Sequence, residues 1–367
     1  MAKAQGTILE IDLEALRHNY DYFKSRLKTS TKIIAVIKAF GYGTDAFHIA
    51  SYLEKLHIDY VAVAYVEEGV SLRKRGIQTP ILVFHPQEIS FKTCIQYSLE
   101  PSLYSKRVLE SFIKIAEAEN QYNYPIHIKC NTGMNRLGFV KKDVEFIIKR
   151  VHKSKAIKIN SIFSHLVASE DKNEKEFSLQ QIKSFQIISN ELYNNLPYQP
   201  MLHILNTSGV LNYPEAQFDM IRMGIGLLGF ANNIETTKEL KNVVSLKSVI
   251  SQIHTIKKGE SIGYNRTYKV EKAIRSATIP IGYADGISRA LGNGIGSVKI
   301  SNKKAEIIGI ICMDMLMVDI TNIDCKEGDE VVIFNSQEMI NNFAKRTTTI
   351  SYEILTAISQ RVKRIVK

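Results

Sequence analysis

A chain of 367 residues with 45% hydrophobic and 23% charged residues can bury a large core, which excludes the disordered and fibrous classes. Its net charge of +11 is spread along the whole length in short clusters that suit helix surfaces, so it points to attraction of small anions rather than to a nucleic-acid partner. The four cysteines have no C-x-x-C pairing and the first residues lack an apolar leader, as expected of a cytoplasmic protein with free thiols and no membrane segment.

In chain order, a short strand-like lead (residues 7–11) is followed by a helix capped by Asp12, with Leu13, Leu16, Tyr20, Phe23 and Leu27 stepping by three and four. The run 33–37 (Ile-Ile-Ala-Val-Ile) is continuously apolar and rich in β-branched residues, the pattern of a buried strand, and Lys38 stands at its end. Further runs at 60–64, 81–84, 95–99, 126–130, 159–165, 201–205 and 220–226 alternate with helical patterns such as 105–119, 142–151 and 174–195. Strands alternating with helices over about 230 residues predict a (β/α)8 barrel spanning 11–234. Beyond it the pattern turns to short strands at 243–256, 277–281, 297–300, 305–318 and 330–334, with helix returning only near the C-terminus. A mostly β domain of 235–367, joined by 1–10, is expected to pack against the barrel.

Barrels place chemistry at the C-terminal ends of their strands, and toward that end this chain has Lys38 and His165 ending strands, Lys129 and Arg222 inside strands, Arg136 in the loop after one and Thr207 in the segment that ends another. A lysine beside a dry core has a lowered pKa and becomes an amine nucleophile, the requirement of Schiff-base chemistry. The turn at Gly224 and Ile225, with Thr207 one strand away, can offer N–H and hydroxyl donors to a phosphate. A lysine and a phosphate cup in one barrel mouth match pyridoxal 5'-phosphate.

Residues 35–43 (Ala-Val-Ile-Lys-Ala-Phe-Gly-Tyr-Gly) resemble the cofactor-attachment motif of the alanine racemase family. The resemblance continues, in the family's order, through 11–19 (Ile-Asp-Leu-Glu-Ala-Leu-Arg-His-Asn), 132–138 (Thr-Gly-Met-Asn-Arg-Leu-Gly), 163–165 (Phe-Ser-His) and 221–225 (Ile-Arg-Met-Gly-Ile). It then extends over 262–268 (Ile-Gly-Tyr-Asn-Arg-Thr-Tyr), 280–286 (Pro-Ile-Gly-Tyr-Ala-Asp-Gly), 312–314 (Cys-Met-Asp) and 351–353 (Ser-Tyr-Glu), and so nearly the whole chain.

The resemblance implies interconversion of L- and D-alanine by two bases, supplying D-alanine for peptidoglycan. Lys38 would anchor the cofactor and serve one face of the α-carbon, and Tyr264 would serve the other from the partner subunit of a head-to-tail homodimer. Arg222 would face the pyridine nitrogen with His165 behind it, and Arg136 would contact the cofactor's phenolic oxygen and the substrate carboxylate. Tyr42, Thr207, Gly224, Ile225 and Tyr352 would hold the phosphate, Met313 would help bind the carboxylate through its backbone, and Tyr283 would narrow the entrance. In some members the lysine matching Lys129 is carbamylated and steadies Arg136.

Several positions depart from the family's habit. Phe40 replaces Asn or Asp, Thr44-Asp45 replaces His-Gly, Asn131 replaces a frequent Asp, and Thr207 replaces a common Ser. Ile310 stands in place of an entrance arginine, and Glu170 in place of Asp. Alternatives are a broader amino-acid racemase on the same scaffold, a barrel-type decarboxylase or a pyridoxal-phosphate carrier. Arg222, where a decarboxylase would carry an acid, argues against the second. The large β domain argues against the third.

Overall fold

Apolar runs without alternation need cover on both faces, and in a computed structural model that describes residues 6–231 and 233–367 they close on themselves as a parallel barrel. The first five residues, on which the expectation of no leader rests, lie outside the described residues. Strand β1 (Ile8–Ile11) precedes the barrel, whose eight strands are β2 (Lys32–Val36), β3 (Tyr60–Val63), β4 (Ile81–Val83), β5 (Glu100–Leu103), β6 (Tyr124–Lys129), β7 (Ile157–Phe163), β8 (Met201–His203) and β9 (Met220–Met223). β9 pairs with β2 to complete the ring.

One barrel strand is not where the apolar pattern put it. Residues 91–96 form a helix that buries Phe91, Cys94 and Ile95, and the strand follows as Glu-Pro-Ser-Leu at 100–103. A short apolar run does not distinguish a buried helix face from a strand, and Glu100 and Pro101 disguise the true one. Elsewhere the helical readings settle within a few residues, at Leu13–Lys24 under its Asp12 cap, Lys106–Ala118, Val144–Lys153 and Lys175–Asn194.

The second domain is a sheet of β10 (Val244–Val249), β11 (Gln252–Ile256), β14 (Ile274–Ile279), β15 (Ser297–Ile300), β16 (Lys303–Ile308), β17 (Leu316–Asp319), β18 (Glu330–Phe334) and β19 (Lys363–Val366), joined by β1. A separate hairpin pairs β12 (Ser261–Ile262) with β13 (Tyr268–Lys269). The stretches 243–256 and 305–318, each expected as one strand, are each broken by a turn into two. β1 lies between β10 and β19, so the earliest strand is held by two of the later ones. Helix Gln337–Arg346 precedes helix Ser351–Thr356, which meets the barrel mouth through Leu355 against Gly43 and Tyr352 on the cavity. Among the described residues, no helix is long and apolar enough to cross a membrane.

Candidate active site

After β2 the backbone turns left-handed. Ala39, Phe40, Gly41 and Tyr42 have φ of 52°, 55°, 70° and 58°, and the turn closes with Gly41 N donating to Ile37 O (2.9 Å) and Gly43 N to Ala39 O (2.8 Å). Such a turn costs about 1–2 kcal/mol for each residue other than glycine, so its surroundings must impose it. Glu68 accepts from Ala39 N (2.6 Å), and Thr44 Oγ1 donates to Gly41 O (2.6 Å). Arg364 on β19 donates to Gly43 O (2.8 Å) and Thr44 O (3.1 Å). Gly43, at φ 82°, lies so close to the helix Ser351–Thr356 that a Cβ would fall 2.0 Å from Leu355 O. Asp45 caps the next helix by accepting from His48 N (3.0 Å). Thr44 and Asp45 thus have work of their own at positions where the family differs. The turn also gives Phe40 a context: Asn and Asp, the family's usual residues there, tolerate left-handed φ, whereas Phe40 occupies it 59% exposed.

Lys38 opens onto a cavity of about 600 Å³ at the barrel mouth. Tyr42, Lys129, Arg136, His165, Thr207, Arg222, Gly224, Ile225 and Tyr352 line the same cavity, so ten of the residues singled out from the sequence meet in one place. Tyr264, Tyr283 and Met313 do not line this cavity; they lie exposed on the second domain.

The mouth is cationic. Partial burial and then the Arg136 guanidinium hold the Lys38 amine below the usual lysine value, with Glu68 opposing them. Burial and Arg222 push Lys129 down to about 7. Arg222 is itself buried, which lowers it to about 9, and both of its terminal nitrogens are hydrogen-bonded. Nη2 donates to Ser164 O (2.7 Å), Ile204 O (2.9 Å) and His165 Nδ1 (3.1 Å), and Nη1 donates to His203 Nδ1 (2.6 Å). Burial, and then the field of Arg222, hold His165 and His203 well below the usual imidazole value. Both are therefore neutral rings that accept from the arginine. His203 went unnoticed in the sequence because it lies inside a strand, where only its spacing from Arg222 on the neighbouring strand could have flagged it.

On the opposite wall, Gly224 N lies 3.4 Å from Thr207 Oγ1, and the Tyr42 and Tyr352 rings are 5.9 Å apart. A Cβ on Gly224 would stand 2.4 Å from Tyr42 Oη, so this concavity exists only with glycine there. Burial, and then the neighbouring Tyr352, raise Tyr42; burial and then Glu170 raise Tyr352 to about 12. Both phenols stay protonated and able to donate. The loop before Arg136 is folded by Asn131, whose Oδ1 accepts from Gly133 N (3.1 Å) and Asn135 N (3.0 Å); the amide keeps the acceptor that Asp would supply.

A donor-lined cup, a lysine just past the first barrel strand and a buried arginine, all lining one cavity, fit the phosphate, aldehyde and ring of pyridoxal phosphate. Fold and site together define a barrel-type pyridoxal-phosphate enzyme with an appended β domain. Residues 11–232 match the family model "Alanine racemase, N-terminal domain" and residues 243–366 match "Alanine racemase, C-terminal domain". The alanine racemase of Clostridium tetani is 36% identical over 97% of this chain and 94% of its own, and that of Thermodesulfovibrio yellowstonii is 35% identical over 97% and 96%. Among solved structures, the alanine racemase of Clostridium difficile 630 superposes with a TM-score of 0.94 at 33% identity, covering 100% of this chain and 97% of the other. That of Bartonella henselae, with covalently bound pyridoxal phosphate, gives 0.89 at 29%, covering 99% and 100%. The chain belongs to the alanine racemase family, pyridoxal-phosphate-dependent isomerases that interconvert L- and D-alanine.

Proposed function

We propose that this chain racemises alanine with two bases drawn from two subunits, and that it does so in the cytoplasm to supply D-alanine for the cell wall. The observation that carries this reading is the convergence of Lys38, Arg136 and Arg222 on one cavity beside the cup of Tyr42, Thr207 and Gly224. When bound, pyridoxal phosphate supplies the electron sink that makes the α-hydrogen of alanine acidic. Lys38 Nζ, lowered by its surroundings, takes or returns that proton on one face. Racemisation needs a second proton carrier on the opposite face, and Tyr264 Oη of the partner subunit fills that role. Arg136 is placed to hold a carboxylate. Arg222 keeps its own protons and donates toward the ring, which limits charge build-up there and with it side reactions such as transamination.

Several features support the head-to-tail dimer. Tyr264 is 65% exposed and Met313 53%, with Tyr283 and Met315 also exposed, a concentration of large apolar side chains of the kind that marks an interface. The loops carrying them are neighbours: Ala284 N donates to Met313 O (3.0 Å), and a Cβ on Gly263 would lie 3.5 Å from Ile310 N. Lys129, neutral above about pH 7, is in the form that reacts with CO2, which suits the family's carbamate beside Arg136.

The direct test incubates the purified protein with L-alanine and follows D-alanine, then repeats the assay with serine, lysine and arginine. Turnover of a basic amino acid at a rate comparable with alanine would overturn the assignment to alanine. Lys38→Ala is expected to abolish both racemisation and the absorbance of lysine-linked cofactor, and Tyr264→Ala to abolish only the first. Mixing the two inactive variants should restore activity through hybrid dimers with one competent site. Absence of any recovery in hybrids shown to form would place both bases in one chain.

A further inference from the structure

Beneath the mouth, five consecutive barrel strands each give one polar residue to a single hydrogen-bonded line. Arg222 on β9 donates from Nη1 to Nδ1 of His203 on β8 (2.6 Å). His203 Nε2 lies 2.9 Å from Oγ of Ser161 on β7, and that Oγ lies 2.6 Å from Nδ1 of His127 on β6. His127 Nε2 lies 2.8 Å from Oε2 of Glu100 on β5. All five side chains are buried. Glu100 is the first residue of its strand, so the line descends from the catalytic end toward the opposite end of the barrel, where residues ordinarily serve stability.

The two ends decide the direction of every proton between them. A guanidinium only donates, so while Arg222 stays on Nδ1 the His203 ring proton sits on Nε2 and needs Ser161 as its acceptor; without that acceptor the ring can carry its proton on Nδ1 and turn the guanidinium away. The Nε2 proton goes to Ser161, whose hydroxyl must then turn to His127 Nδ1. His127 in turn carries its proton on Nε2 and gives it to the carboxylate, which only accepts. If the serine turned the other way, His203 would be left with two accepting nitrogens and no proton, so one arrangement satisfies all the partners.

Glu100 is built to remain the acceptor. Its Oε2 also takes hydrogen bonds from Asn160 Nδ2 (2.9 Å) and Tyr60 Oη (3.3 Å). Burial works to raise its carboxyl, and the bonds from His127, Asn160 and Tyr60 oppose that rise. Among the described residues no acid forms an ion pair with Arg222, and the line is the hydrogen-bonded path that joins the guanidinium to a carboxylate.

We propose that Glu100 is a positioning residue for racemisation, acting through His127, Ser161 and His203 to keep His203 an acceptor toward Arg222 and so to hold the guanidinium in one orientation. The proposal rests on the functional reading above for its catalytic consequence, but the proton arrangement is a property of the protein alone.

The experiment compares the full-length protein with Ser161→Ala, Glu100→Leu and Glu100→Gln. Histidine 15N NMR of the apoprotein reports which ring nitrogen carries the proton, the His203 signal being assigned by its loss in His203→Gln. The native protein should show His203 protonated on Nε2 alone. Ser161→Ala and Glu100→Leu should give mixed tautomers at His203 and lower kcat by about tenfold, with KM for alanine little changed. Glu100→Gln, which keeps an oxygen for His127, should recover most of both. The proposal is overturned if His203 keeps the single Nε2 proton in Ser161→Ala and Glu100→Leu, whether or not the rate falls. Should Glu100→Leu fail to fold, Ser161→Ala decides alone. A native protein that holds this tautomer but does not racemise alanine would count against the function and leave the proton arrangement standing.

Discussion

Lys38 and Arg222 are both cations fixed at the floor of one cavity, and the molecule holds them in opposite ways. Arg222 is held by its side chain: every bond to its terminal nitrogens comes from within the closed barrel. Lys38 is held by its backbone, in a strained left-handed turn whose braces, Arg364 and Leu355, come from the second domain. The difference follows from their tasks. An arginine that must never move or lose a proton is best anchored at the guanidinium, whereas a lysine that must bond, release and carry protons needs a free amine on a fixed Cα.

The contrast can be broken from the side of the brace. Gly43→Ala should drive a methyl group into Leu355 O at a positive φ, costing about 3 kcal/mol in urea unfolding and weakening cofactor retention through Tyr352. A wild-type unfolding midpoint would show that the second domain does not brace the turn.

A third cation sharpens the contrast. Lys129 packs over the Phe163 ring at 5.0 Å, and its pKa falls from the ordinary 10.5 to about 7. Between those values the unfolded chain binds more protons than the folded one, so stability rises as pH increases through that window. In CO2-free buffer the apoprotein should gain roughly 2 kcal/mol between about pH 7 and 9, and Lys129→Met should lose that dependence. A flat profile in the native protein would mean that Lys129 keeps its proton as Arg222 does.

The smallest effect concerns strain itself. Phe40→Asn, at an exposed left-handed position, should stabilise the protein by about 1 kcal/mol in the same unfolding assay. A loss of stability would show that the phenyl ring makes a contact worth more than the strain.

Residues at strand ends were legible in the sequence because barrel topology says where to look, and Lys38, His165 and Thr207 lie there, with Arg222 inside the last strand one residue from its end. The polar residues deeper inside the strands were not. In the run Ile-His-Ile-Lys at 126–129, period-two alternation sends His127 and Lys129 inward together, but nothing local shows that His127 faces Ser161 on the next strand and Glu100 on the previous one. The same gap hid β5, whose Glu100 reads as a turn residue until its partners are known. Arg364 was illegible for a related reason: its partner Gly43 is 321 residues away.

That separation has a consequence in time. At about 5–20 residues per second, synthesis reaches Arg364 some tens of seconds after Gly43 has been made. The seven barrel strands β3 to β9 are made in that interval, and throughout it the turn bearing Lys38 lacks its clamp. The nascent chain therefore passes through a stage in which every barrel strand exists and the residues that brace the Lys38 turn do not.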